Sequence, residues 1–76
     1  MINRIITTDL DHAKLAKIFA ENDIFVIGQD RLGMHICVTS EHDSFAEIQH
    51  LVWQANPYAY CEVKTATVED VEYYEN

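Results

Sequence analysis

Ile24-Phe25-Val26-Ile27-Gly28-Gln29-Asp30-Arg31-Leu32-Gly33-Met34-His35-Ile36-Cys37-Val38-Thr39 is the stretch on which the fold turns. An apolar run over 24–27 meets a short polar segment bounded by the chain's two glycines, and a second run follows over 34–39. Two β-branched runs around such a segment predict a β-hairpin. In the second run, alternation sets Met34, Ile36 and Val38 on one face and His35, Cys37 and Thr39 on the other. In the first run either parity is apolar, which predicts a strand covered on both sides.

Working outward toward the N-terminus, residues 2–7 read as a strand, apolar at Ile2, Ile5 and Ile6. Thr8 or Asp9 is the expected cap of a helix. At 100° per residue, Leu15, Ile18 and Phe19 share a face with Ala16 alongside, while Lys14, Lys17 and Glu21 fall opposite. Asn22-Asp23 ends that helix.

Toward the C-terminus, Ser40-Glu41-His42-Asp43 has the pattern of a capping box. The helix it opens carries Phe45, Ile48, Leu51, Val52 and Ala55 on one face and Glu47, His50 and Gln54 on the other. Asn56-Pro57 stops it, because the residue before proline avoids the helical region. Residues 58–66 alternate and predict a last strand, with Ala59, Cys61 and Val63 on one side. Tyr58, Tyr60, Glu62 and Lys64 lie on the other. Thr67 as a cap and the pair Val68 and Val71 suggest a short helix in the tail.

The predicted order is β-α-β-β-α-β, an α+β domain of the ferredoxin-like (split βαβ) kind. Two right-handed crossovers would lay both helices on one face of a four-stranded antiparallel sheet. The expected division is one domain over 1–66 and an acidic segment over 67–76. The second sheet face is expected bare, which makes His35 and Cys37 the candidate dimer or ligand face.

Composition narrows the function. The 76 residues hold 13 Asp+Glu against 5 Lys+Arg, a net charge of −8. Such a field repels phosphate, so direct binding to nucleic acid or to an anionic membrane is not expected. No run approaches the ~20 apolar residues of a membrane span. The N-terminus turns polar at Thr7-Thr8-Asp9, unlike a secretory leader. Two cysteines are too few for a disulfide framework and predict free thiols in the cytoplasm, the host cytoplasm if the chain is phage-encoded.

Chemistry-bearing patterns fare poorly. His35 and Cys37 with His42 and His50 invite a metal, but no CxxC or HxxxH spacing exists. As a nucleophile pair, His35 and Cys37 stand about 7 Å apart on a strand, and neighbouring acids would raise the thiol pKa. Two glycines leave no room for a phosphate-cradling loop or a nucleophile elbow. Asp9 with Asp11, and Glu69 with Asp70, sit where helix capping explains them. The expectation is therefore no enzyme, no metal and no cofactor. The architecture is shared with RNA-recognition motifs, but the strand aromatics and basic rim those need are missing. It is also shared with ACT-type sensing domains, which pair through their sheets, and that analogy is one of topology alone.

Charge position is the most specific signal. Residues 1–38 hold five acids against four bases, and residues 39–76 hold eight against Lys64 alone. So −7 of the −8 lies in the second half, interleaved with Trp53, Tyr58, Tyr60, Tyr73 and Tyr74, residue types that anchor interfaces. The expected partner surface comprises Glu47, Trp53, Tyr58, Tyr60, Glu62, Glu69, Asp70, Glu72, Tyr73 and Tyr74. The reading is a small interaction protein that binds a basic surface of a nucleic-acid-handling protein. In its sharpest form it is a phage or mobile-element inhibitor of the anti-restriction or anti-CRISPR type, acting by phosphate mimicry. The alternative is a homodimeric regulatory or small-molecule-sensing domain that pairs through its bare sheet face.

Overall fold

A computed structural model describes residues 2–31, 33–41 and 45–75. The elements run β1 (Ile2–Thr8), α1 (His12–Glu21), β2 (Ile24–Gln29), β3 (His35–Ser40), α2 (Phe45–Ala55), β4 (Cys61–Thr65) and α3 (Val68–Glu75). The four strands form one sheet in the order β2-β3-β1-β4, each neighbour antiparallel to the next. Over the described residues the protein is thus a small α+β domain with a four-stranded antiparallel sheet and three helices.

Strand parity sorts the sheet into two faces. On the first, Ile6, Ile24, Ile36 and Val38 pack with Leu15 and Phe19 of α1 and with Ile48, Leu51 and Val52 of α2. Arg4 closes one end of this layer, its guanidinium 4.0 Å from the centre of the Phe45 ring and its Nη1 donating to Thr65 Oγ1 at 3.2 Å. Burying each large aliphatic or aromatic side chain here contributes about 1.5–3 kcal/mol. That layer holds the domain together.

Hydrogen bonding moves several predicted boundaries. The cap of α1 is Asp11, which accepts from the Ala13 amide, because Thr8 and Asp9 are engaged elsewhere. Thr8 Oγ1 accepts from Leu10 N, and Asp9 Oδ1 accepts from Tyr60 N across 51 residues. Asn22 and Asp23 do end α1, with Asp23 at φ 60. The last strand starts at Cys61 rather than at 58. Asn56 N donates to Val52 O, Ala59 N donates to Asn56 O, and Asn56 Oδ1 accepts from Tyr58 N, so a turn occupies the space before β4. The capping box at 40–43 falls partly on residues 42–44, outside those described.

Two expectations about coverage fail. Phe25 is 50% exposed and Val26 is exposed too, because β2 is an edge strand with a bulge between Val26 and Gly28. The second sheet face is not bare either. Thr67 caps α3, its Oγ1 accepting from Asp70 N while Asp70 Oδ2 accepts from Thr67 N, and the helix packs back against β2.

Candidate docking surface

The second face is read row by row from the register. Lys64, Ile5, Cys37 and Gly28 form the middle row across β4, β1, β3 and β2. Glu62, Thr7 and His35 form the row at one end, and Asn3, Thr39 and Phe25 the row at the other. Apart from the exposed Lys64, the middle row is covered, with α3 packed on its β2 end. Ile5 is buried there, Cys37 is 0% exposed, and a Cβ on Gly28 would overlap the Tyr74 carbonyl oxygen.

Cys37 therefore cannot serve as part of an accessible ligand or dimer face while α3 is in place. Burial pushes its thiol pKa up, and the charges of Asp70 and Glu75 add to the rise. His35 is half-buried and hydrogen-bonded through Nδ1 to Thr7 Oγ1 at 2.9 Å. The two residues share a face but differ in access.

Nine of the ten expected partner residues fall into two groups. In the first, Trp53 is 42% exposed with its indole N–H donating to Ala59 O, and Tyr58 is 94% exposed on the turn. Tyr60 O–H donates to Glu62 Oε2 at 2.7 Å. That bond, then the carboxylate's charge, raises the Tyr60 pKa. Glu47 stands apart from these, exposed in the first turn of α2.

The second group rides on α3. Glu69 and Glu72 are exposed, Tyr73 is 70% exposed, and Tyr74 is half-buried with its ring 5.1 Å edge-on from that of Tyr73. Asp70 is committed to the helix cap. The Thr67 amide and hydroxyl contacts hold its carboxyl below the usual range, with help from Lys64. Tyr74 titrates high through burial first and then through Asp30, Tyr73, Cys37 and Asp70.

Asp30 is the acid that sequence reasoning passed over. Desolvation would raise its carboxyl, but the amides of His35 and Met34 donate to it and outweigh that, so its pKa is lowered. Asp30 follows two residues after Gly28, over which the Tyr74 carbonyl sits, and its charge adds to the rise in the Tyr74 pKa. Glycine on both sides and a turn length fitting an Asp-capped hairpin were the available signal.

Six carboxylates, Asp30, Glu62, Glu69, Asp70, Glu72 and Glu75, thus belong to the α3 side of the sheet or its rim. Lys14 and Lys17 project from α1, which packs on the other side. Among the described residues no group of three or more His, Cys, Asp or Glu is placed to hold a metal ion. Among the described residues no helix is long and apolar enough to cross a membrane. Comparison with protein-family models, with curated proteins and with solved structures finds no match.

Proposed function

We propose that the chain is a non-enzymatic, acidic interaction protein that docks on a basic surface of a nucleic-acid-handling protein. The observation that carries this is the gathering of carboxylates with Tyr73 and Tyr60 on the α3 side of the sheet. A partner groove built for phosphate presents Arg and Lys, and this face offers charges of the sign and spread such a groove takes. Complementary charge would mainly speed association, while exposed aromatic rings would supply the lasting contact. An inhibitor of the anti-restriction or anti-CRISPR type is the sharpest form of the proposal, and the cytoplasm its setting. The two free cysteines support that compartment.

The fold is proposed to be ferredoxin-like. The strand order β2-β3-β1-β4 and the crossovers through α1 and α2 support this. The homodimeric sensing alternative is weakened by α3, which would have to leave the sheet before two copies could pair through it.

The test is competition. The tagged protein is incubated with host extract at low salt, and the partner is identified and purified. Nucleic acid added to the pair should release the partner in proportion to its concentration. A partner that binds nucleic acid and this protein at the same time would overturn the proposal.

A further inference from the structure

Helix α3 is attached to the domain differently from α1 and α2. It has eight residues, too few for stable helicity in isolation. None of its residues is fully buried: Asp70, Val71 and Tyr74 are half-buried, and Val68 and Tyr73 face solvent. Its close approach to the sheet is made by Tyr74 over Gly28, the carbonyl carbon 3.0 Å and the Tyr74 Cβ 3.2 Å from where a Gly28 Cβ would lie. The helix leaves the sheet just past Ala66, whose amide donates to Asn3 O. The surface beneath is of another character: Ile5 and Cys37 are buried.

We propose that α3 is a docked strap that opens from the sheet as a unit while the rest of the domain stays folded, hinged at 66–67. Gly28 is the seat that sets how often it opens, and Cys37 is the group that opening uncovers. The physical ground is the mismatch between a well-buried floor and a roof that buries little of itself. Segments with few buried apolar contacts open with lower free energy than the core. Gly28 has no left-handed φ to protect, so a side chain there acts on the Tyr74 backbone and not through its own strain. Docking also disfavours the thiolate, since burial first, and then the charges of Asp70 and Glu75, push the Cys37 pKa up. Opening therefore raises both access and reactivity. The inference stands whether or not the partner reading does.

The experiment follows Cys37 in a Cys61→Ser background, where it is the sole thiol. A small aromatic disulfide is the probe: the thiolate attacks one sulfur, a mixed disulfide forms, and the aromatic thiolate leaves and is read by absorbance. Labelling under native conditions should be faster than global unfolding allows, with a shallow denaturant dependence. Gly28→Ala should raise the rate roughly tenfold or more, well beyond its effect on global stability. Labelling that follows global unfolding in slope and rate in both proteins would overturn the proposal. So would a Gly28→Ala rate equal to the parent's. Should Gly28→Ala fail to fold, amide exchange in the unsubstituted protein decides. Amides over 69–75 exchanging well ahead of Ile36 and Val38, with a shallow slope, support the strap, and a single common opening contradicts it.

Discussion

The two faces of the sheet are built on opposite plans. Under α1 and α2 the contacts are apolar and mutual, since Phe19 and Leu15 bury themselves as completely as the Ile6, Ile36 and Val38 they cover. Under α3 the sheet is buried more completely than the helix, whose Asp70, Val71 and Tyr74 are only half-buried. The helix contributes a backbone seat, a capping pair and a row of carboxylates. One face is therefore the source of stability and the other is free to carry charge. In a chain this short, separating the two tasks matters. A domain of this size is worth roughly 4–11 kcal/mol in total, and carboxylates crowded onto the core side would consume much of that.

The largest expected effect breaks the first face. Phe19→Ala should cost about 3–5 kcal/mol and leave the domain partly unfolded at 25 °C, read by chemical denaturation. Ile5→Ala, on the second face, should cost about 2 kcal/mol, at the lower end of the range because a lightly held roof can settle into the gap. An Ile5 loss as large as that of Phe19 would show the two faces to be equivalent. Thr67→Ala removes one half of the α3 cap and should cost about 1 kcal/mol, concentrated in faster exchange over 69–75.

Smallest are the pH effects, and they differ in sign. Asp30 and Asp70 have lowered pKa values in the fold. Their contribution is present above the ordinary carboxylate range and is lost as pH falls through their folded values. Cys37 and Tyr74 have raised values. Their contribution is whole below the thiol's ordinary 9.0 and the phenol's 10.0 and fades as pH rises beyond those. Both lie beneath or within α3, so alkaline titration should loosen α3 before the core. Amide exchange at stepped pH checks this, and simultaneous loosening of both faces would blur the distinction.

How much of this was legible in the sequence follows from which forces are local. Alternation in 34–39 and helical spacing in Leu15, Phe19, Ile48 and Val52 are local patterns, and they identified the strands, the helices and the first face. The capping signal at Thr67 is local as well. What stayed hidden depends on the path of the chain. Nothing near Gly28 announces that Tyr74 will lie over it, so the second face read as bare and Cys37 as accessible. Phe25 and Val26 looked doubly covered because composition cannot mark an edge strand. Asp9 resembles a helix cap in the sequence because its bond to Tyr60 spans 51 residues and leaves no local mark. Among the candidate partner residues, Glu69, Glu72 and Tyr73 are exposed. Asp70 was grouped with them because capping and solvated acids look alike in sequence.

That distinction fixes the most direct measurement. Reversing Asp70 would unmake the helix cap, so the test uses Glu69→Lys and Glu72→Lys together, with α3 helicity checked first. The association rate with the purified partner is followed between about 50 and 200 mM salt, a range over which the Debye length roughly halves. The proposed docking through the α3 face predicts a rate that falls steeply with salt, and a double variant that associates several-fold more slowly at the low end with a flatter slope. Parent and variant rates that coincide and do not change with salt would contradict it.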